Sequence, residues 1–544
     1  MQTRAIRLSC WFVLFFLFFS CQAKHETQGR QVFRYNESAG ITSLDPAFAK
    51  DQANIWACNQ LFNSLVQLDS QLQIMPCLAR SWEISPNGKI YRFYLRDDVF
   101  FHETDFFHFP QKRKMTAEDV VYSFKRIIDP KVASPGAWLF SLVDTINGKP
   151  AFLAINDTTV EIHLKKTFPP FLGLLSMQYC SIVPHEVVEK YGKDFRKYPV
   201  GTGPFFMKTW REGVKLSMLK NDNYFEKDEQ GCKLPYLDAV AVSFIIDKQS
   251  AFMEFVKGNL DFLSGLDASY KDELLSKDGQ LSIAYQKRIK MLSMPYLNTE
   301  YLGFLMDDAN EKNPLKIKEV RQAINYGFDR SKMLRFLRSN IGVAGTKGMI
   351  PYGMPPFDNQ AAYGYDYNPQ KARDLLAKAG FPNGKNLPPI KLCVTENYMD
   401  ITLYLAHELE QIGIKVEISK MQPAILRQFI AKSEIPFFRG SWIADYPDAE
   451  NYLALFYSQN FTPNGPNYTH YKNKRVDALY QQSQSTSNIL EREQLYRQID
   501  SLVMEDAPVV VLYYDRVLRF VQNNIEGMEN NSMNLLTLKR VKKH

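Results

Sequence analysis

The sequence lacks the motifs that the common enzyme classes and metal-binding modules require. It contains no G-x-S-x-G, HExxH, P-loop or dinucleotide-binding glycine motif. Its seven cysteines include no CxxC pair, which excludes zinc-finger and redox-active dithiol sites. We therefore expect a protein that is not an enzyme and that has no catalytic residues, no cofactor and no metal site.

Two short segments superficially resemble functional sites. "FHETDFFHF" (101–109) contains His102 and His108 among acids, but these side chains would alternate between the faces of a strand and form no helical ligand pair. "VGTGPF" (200–205) is glycine-rich but has no following Lys-Ser/Thr, so it predicts a structural turn.

Long runs of charge of one sign are also absent. The chain has 544 residues, 45% hydrophobic and 23% charged, and its net charge is only +7, with lysines and acids interspersed. Nucleic acid is therefore not an expected partner. The length exceeds what one hydrophobic core supports and suggests two or three domains.

The cysteines do not form a disulfide framework. Setting aside Cys10 and Cys21 near the N-terminus leaves an odd number, widely spaced. Cys58 and Cys77 are near enough in sequence to pair, and isolated buried thiols are an equally valid interpretation. The remaining three are Cys180, Cys232 and Cys393.

The hydrophobic run at the N-terminus is too short to span a bilayer. "MQTRAIR" carries two positive charges, and nine apolar residues follow at 11–19. A spanning helix needs about 20 residues, so this pattern predicts a signal peptide. A small residue followed by Cys21 predicts lipoprotein cleavage and lipidation of that cysteine. An ordinary secretory peptide with an incidental cysteine is the alternative, and both predict export.

Helix and strand patterns alternate along the remaining chain. Thr116 and Asp119 occupy capping-box positions, and Val120, Phe124 and Ile127 share one face of the helix they begin. Segment 390–420 has two alternating strands flanking an amphipathic helix, which predicts a βαβ crossover with parallel strands. Further predicted elements are a strand within 89–101, helices within 368–382 and 488–505, and a strand at 509–514.

The stretch "RGSWIADYPDAE" (439–450) concentrates charge between apolar neighbours. Buried charge needs a partner. From the residues alone, Asp445 fits either a ligand anchor or a turn aspartate, and Arg439 fits either a ligand contact or a structural pair with a nearby acid. Core packing is an alternative role for Trp442.

Several segments, in order, resemble the extracytoplasmic solute-binding proteins of peptide ABC importers, the dipeptide/oligopeptide-binding family. The similarity spans essentially the whole mature chain, with one departure, the insertion "ETDFFHFPQKRK" (103–114). The resembling segments are "SLDPAFAKD" (43–51), 61–102 followed by "MTAEDVVYSFKRIIDP" (115–130), 198–225, "KEVRQAINYGFDRSKML" (318–334) and "SWIADYPDAENYL" (441–453).

The resemblance implies an α/β, two-lobed periplasmic-binding-protein type II fold with an extra subdomain on lobe 1. Ligand would bind between lobes that close over it by a hinge motion. The implied organisation is a lipoprotein signal peptide (1–20), a tether and the start of lobe 1 (21–62), the extra subdomain (63–194), lobe 1 continued (195–290), lobe 2 (291–511) and a return to lobe 1 (512–544).

The implied function is binding of di- and oligopeptides and their delivery to the permease subunits of an ABC importer. We expect a monomer, held by its N-terminal lipid on the periplasmic or cell-surface side of a bacterial membrane. The alternatives are a binding protein of the same fold for a metal chelate, an opine-like compound or an oligosaccharide, and a secreted hydrolase.

The resemblance also implies roles for individual residues. Asp445 would bind the peptide α-amino group, and Arg439 would meet the carboxylate of short ligands. The main chain at Ser441 and Ile443 would pair with the ligand backbone. Trp442 would line a side-chain pocket, and Tyr446 would complete the ligand contacts. The residues themselves, apart from the resemblance, indicate that Asp448 and Glu450 begin a helix.

Overall fold

A computed structural model describes residues 29–355 and 363–544. The predicted signal peptide and the lipidation site at Cys21 lie outside the described residues. The predicted domain boundaries remain predictions, and the architecture below is given element by element.

The strands and helices of the described residues alternate along the chain, joined by short 3-10 turns. The strands are β1 (Val32–Asn36), β2 (Val66–Leu68), β3 (Ile74–Pro76), β4 (Ala79–Ile84), β5 (Ile90–Leu95), β6 (Thr145–Ile146), β7 (Lys149–Pro150), β8 (Phe152–Asn156), β9 (Thr159–His163), β10 (Phe205–Arg211), β11 (Lys215–Lys220), β12 (Ala239–Ser243), β13 (Phe262–Ser264), β14 (Ile289–Phe304), β15 (Val343–Ala344), β16 (Ile390–Val394), β17 (Val416–Lys420), β18 (Phe437–Ile443), β19 (Val509–Gln522), β20 (Ile525–Glu526) and β21 (Lys542–Lys543). The helices are α1 (Gln52–Leu61), α2 (Ala117–Ile128), α3 (Phe171–Leu175), α4 (His185–Tyr191), α5 (Lys248–Val256), α6 (Lys271–Leu274), α7 (Lys318–Tyr326), α8 (Arg330–Leu337), α9 (Pro369–Lys378), α10 (Met399–Glu410), α11 (Pro423–Ala431), α12 (Glu450–Leu453), α13 (Lys474–Ser485) and α14 (Ile489–Asp506).

An eleven-stranded mixed sheet is the largest sheet of the described residues. Its order is β10-β11-β12-β1-β13-β19-β14-β18-β16-β17, and β15 pairs with β19 beside this path. β14 and β19 are the longest strands, with 16 and 14 residues, and they pair antiparallel along most of their lengths. The first half of β19, "VVVLYY", is buried residue after residue, as expected for a strand covered on both faces.

The periodicity-based predictions of secondary structure are confirmed. α2 begins with the capping box of Thr116 and Asp119, and Val120, Phe124 and Ile127 are buried. β16, α10 and β17 form the predicted crossover, with β16 and β17 parallel from Ile390↔Val416 onward. α9 ends before Gly380, whose φ of +91° is a conformation that glycine adopts without strain.

A separate four-stranded antiparallel sheet, β4-β5-β9-β8, packs against α2. The insertion 103–114 lies between β5 and α2 and joins the same hydrophobic core as these elements. Phe107 and Phe109 meet edge to face at 4.9 Å, and the Tyr191 hydroxyl donates to the Phe106 carbonyl at 2.6 Å. The insertion is therefore a packed part of this region.

The apolar side chains of the described residues form four cores: a large one mainly from the first half of the chain, two from the second half, and a small one around Phe252, Tyr270 and Phe520. The large core extends from Phe33 to Phe262, takes in C-terminal residues such as Leu536, and also includes Tyr446. The five cysteines of the described residues are all free thiols, so Cys58 and Cys77 are buried but not bonded to each other. Among the described residues, no helix combines the length and apolar character needed to cross a bilayer.

Candidate functional site

A cavity of about 330 Å³ lies where segments far apart in the sequence converge. Its walls come from the segment 49–56, the turn 176–179, the end of β18 at 443–445 and the C-terminal segment 533–535. We call it the cleft cavity. Leu68, Ser176, Gln178 and Leu535 also line a neighbouring cavity of about 420 Å³, so the two spaces adjoin.

Asp445 lies on the wall of the cleft cavity with its side chain open to that space. Among the described residues no cation lies within ion-pair distance of its carboxylate. The surrounding walls nevertheless crowd the group, and this burial raises the pKa of Asp445 while a hydrogen bond from Asn451 opposes the rise. A carboxylate that is crowded but unpaired is suited to receive a cationic group.

Tyrosines surround this carboxylate. Burial raises the pKa of the Tyr179 hydroxyl to about 12, and the negative charge of Asp445 adds to the rise. Asp445 likewise contributes to the raised pKa of Tyr452 and Tyr468, with burial the main cause in both. Of these three tyrosines, Tyr179 lines the cleft cavity, and an aromatic ring beside a charged acceptor is typical of small-ligand sites.

Asn451, in α12, positions the aspartate and the tryptophan of the motif. Its side-chain oxygen accepts hydrogen bonds from the Trp442 indole N–H at 2.9 Å and from the backbone N–H of Asp445 at 3.2 Å. Trp442 packs partly buried against a core of the second half and does not line the cleft cavity. Sequence reasoning missed Asn451 because nothing in the pattern distinguishes it from a helix-start residue.

One edge of β18 is open next to the cleft cavity. β14 pairs with β18 over its whole length, whereas β16 pairs with it only at Phe438. The Ala444 N–H donates to the Leu297 carbonyl on the β14 side. Because backbone direction alternates along a strand, the N–H groups of Ser441 and Ile443 point to the open edge. The Ile443 side chain also lines the cavity.

Arg439 is engaged by an acid within the chain. Its guanidinium contacts the Glu300 carboxylate at 2.5 Å, hydrogen-bonds to the Tyr398 hydroxyl and stacks over the Tyr398 ring at 3.6 Å from the centroid. The Ser441 hydroxyl lies 2.9 Å from the same glutamate. Arg439 and Ser441 do not line the cleft cavity. Arg439 thus forms a structural ion pair, as one of the two alternatives proposed, and its partner is Glu300. Its role in binding a ligand remains a prediction.

The acids after Asp445 fix the loop that presents it. Asp448 accepts hydrogen bonds from Arg492 at 2.9 Å, the Tyr496 hydroxyl at 2.8 Å and the Glu450 N–H at 3.0 Å. The Tyr446 hydroxyl donates to Glu450, and its ring is 5% exposed within the large core. The Tyr446 side chain therefore packs in the large core, and its contact with a ligand remains a prediction.

The segments with metal-ligand residue types serve structural roles. His102 donates from Nε2 to the Gly203 carbonyl at 2.9 Å and accepts at Nδ1 from the Gly201 N–H at 3.2 Å, so both ring nitrogens are used by the turn 200–205. Asp119, His185 and Glu186 also lie close together, but Arg113 hydrogen-bonds to both carboxylates and so already serves as their cationic partner.

Comparison with known proteins places this chain in a defined family. Residues 73–464 match the model for bacterial extracellular solute-binding proteins, family 5. The chain is 27% identical over 505 residues to heme-binding protein A of Haemophilus influenzae, covering 90% of this chain and 88% of that protein. It is 25% identical over 496 residues to the glutathione-binding protein GsiB of Escherichia coli, covering 90% of each.

A solved structure gives the same result for the fold. The periplasmic binding protein DppA of Helicobacter pylori, in complex with the peptide STSA, superposes with a TM-score of 0.75 and 25% identity, covering 95% of this chain and 99% of that one. The predicted α/β type II fold is confirmed.

The fold and the cavity define a solute-binding protein of the type that serves ABC importers. More specifically, the chain belongs to family 5 of the bacterial extracellular solute-binding proteins.

Proposed function

We propose that this protein is a lipid-anchored extracytoplasmic receptor that binds di- or oligopeptides in the cleft cavity and delivers them to an ABC importer. The observation that carries the proposal is the unpaired Asp445 carboxylate beside the open edge of β18. A peptide carries an ammonium group that can pair with the Asp445 carboxylate, and its backbone N–H and C=O groups can hydrogen-bond to the open edge of β18.

Two of the similar proteins support an amino-bearing ligand. The peptide STSA bound by the H. pylori protein and the glutathione named for GsiB both carry a free α-amino group. The H. influenzae relative is named for heme, which has none. Visible absorption of the purified protein distinguishes heme from peptide, and native mass spectrometry identifies a co-purified ligand by its mass.

The role of Asp445 is tested by thermal unfolding of ligand-stripped protein with and without a mixed dipeptide and tripeptide library. Because a ligand that binds only the native state stabilises it, we expect Tm to rise with the library. Asp445→Asn should abolish the rise while leaving the Tm of the free protein nearly unchanged. The matched control is Asp97→Asn, which removes an exposed aspartate that does not line the cavity.

An unchanged rise in Tm for Asp445→Asn would refute the amino-anchor role. The proposed lipid anchor is tested separately, because Cys21→Ser in the full precursor should move the protein from the membrane fraction to the soluble fraction. Retention of that variant in the membrane fraction would contradict lipidation at Cys21.

A further inference from the structure

A cation on the wall of the cleft cavity has no partner among the described residues. Lys50 lines the same cavity as Asp445, and no carboxylate of the described residues lies within ion-pair distance of its ammonium group. Its backbone N–H donates to the Phe48 carbonyl at 2.8 Å, in the tight turn that leads into α1. The cavity thus presents Lys50, a cation without an ion-pair partner among the described residues, together with the unpaired carboxylate of Asp445.

The acid next to Lys50 is occupied by a structural role. Asp51 also lines the cavity, but it is the N-cap of α1. Its two carboxylate oxygens accept from the backbone N–H and the side-chain amide of Asn54, both at 3.0 Å. These bonds hold Asp51 against the helix and leave the Lys50 ammonium free to turn to the cavity.

The alternative cation for a ligand carboxylate is already neutralised. Arg439 is paired with Glu300 at 2.5 Å, and neither residue lines the cavity. A ligand carboxylate at Arg439 would have to displace a nearly buried glutamate, whose desolvation would then be uncompensated. Lys50 requires no such displacement.

The volume of the cleft cavity limits the ligand. At about 330 Å³ it lies at the small end of ligand pockets in general. A dipeptide fits within the cleft cavity itself, whereas an extended peptide of many residues would have to continue beyond it. The adjoining cavity of about 420 Å³ gives space for one side chain through the shared wall of Leu68, Ser176, Gln178 and Leu535.

We propose that the ligand is a small zwitterion of dipeptide size whose carboxylate is bound by Lys50 and whose ammonium is bound by Asp445. This inference rests on the proposed function and narrows it to ligands that carry both charges. Lys50 is the residue that discriminates a free C-terminus from a blocked one.

The test uses the purified full chain and a dipeptide selected by the protein itself from a mixed dipeptide library. Affinity is measured by calorimetry for this dipeptide as the free acid, as the C-terminal amide and as the N-acetylated form. We expect the amide to bind about tenfold more weakly, because one charge-assisted hydrogen bond is lost. N-acetylation should abolish binding through Asp445.

Variants assign the effect to Lys50. Lys50→Met should lower the affinity for the free acid to that for the amide and leave the amide unchanged, while Lys50→Arg should restore most of the preference. Lys125→Met, at an exposed position of α2, is the matched control and should behave as the native chain.

Three results would overturn the inference. They are equal affinity for free acid and amide, an equal loss for both in Lys50→Met, and retention of longer peptides with no dipeptide selected. In each case binding of peptides with a free amino group would leave the proposed function standing. Failure of all peptides to bind would instead refute the proposed function itself.

Discussion

At the scale of single residues, the fold depends on the ion pair of Arg439 and Glu300. The Glu300 side chain is 4% exposed and that of Arg439 is 18% exposed, so removing one partner leaves a charge with little access to water. We expect Arg439→Met to lower the free energy of unfolding by about 3 kcal/mol, because the glutamate remains buried and unpaired. Urea unfolding followed by circular dichroism measures this loss.

The double variant Arg439→Met/Glu300→Gln is the control for that prediction. It removes both charges together, so it should recover most of the stability lost in the single variant. A single variant that unfolds at the same urea concentration as the native chain would show that the pair behaves as an exposed one of little net value.

The residue scale also shows how far the sequence predicts the site. The residue pattern left Asp445 open between a ligand anchor and a turn residue, and the family resemblance favoured the anchor; the structure places Asp445 on the cavity wall. The pattern could not predict Glu300 as the partner of Arg439, because the two are 139 residues apart and meet only through the pairing of β14 with β18. Lys50 was missed for the same reason, since tertiary structure alone brings it to the same cavity as Asp445.

At the scale of elements, the turn 200–205 depends on the neutral ring of His102. The ring is 2% exposed, and burial lowers its pKa to about 4. Unfolded His102 takes up a proton below about pH 6.5, whereas the folded ring takes one up only near its lower value. Its contribution to stability is therefore present above about pH 6.5 and is lost as the pH falls toward 4.

We expect this group to reduce the free energy of unfolding by about 2 kcal/mol between pH 7 and pH 5. The measurement compares urea unfolding of the native chain with that of His102→Gln at both pH values. Burial raises the pKa of Asp500 to about 6, which acts in the opposite direction, but both proteins contain it and it cancels in the difference. A difference that does not change with pH would contradict the assignment.

Elements with strong local signals were predicted well. The capping box of α2, the crossover from β16 to β17 and the glycine after α9 are each encoded within a few residues. β19 was predicted only as 509–514, although it continues to Gln522. Its second half contains Asp515, Arg516 and Arg519, and these charged residues obscure the apolar pattern. The buried Arg519 is satisfied by carbonyls of the C-terminal segment, which a local pattern does not show.

At the scale of the whole molecule, side chains from the first half of the chain contact side chains from the second half. Trp138 meets Tyr446 with ring centroids 6.5 Å apart, and the Lys166 ammonium donates to the Gln484 side chain at 2.9 Å. These contacts join elements on either side of β14. In a protein with a hinge between lobes, a ligand that binds the closed form shifts the population toward it.

We therefore expect ligand to speed cross-linking of Lys166→Cys/Gln484→Cys by a short bismaleimide. Cys232, the exposed native thiol among the described cysteines, is replaced by serine to prevent side reactions. Mass spectrometry follows the cross-linked fraction with time, with and without the selected peptide. Adding Asp445→Asn should remove the acceleration, and equal rates with and without peptide would contradict ligand-driven closure.

The position of β19 has a consequence for the order of events during synthesis. It is the last long strand to leave the ribosome, yet it pairs with β13, β14 and β15 at the centre of the large sheet. Until its residues are available, β13 and β14 each lack their central neighbour and the main sheet cannot close. The main sheet can therefore be completed only near the end of translation. Until then the nascent polypeptide would stay without its final fold, the state in which a chain can pass through a secretion channel.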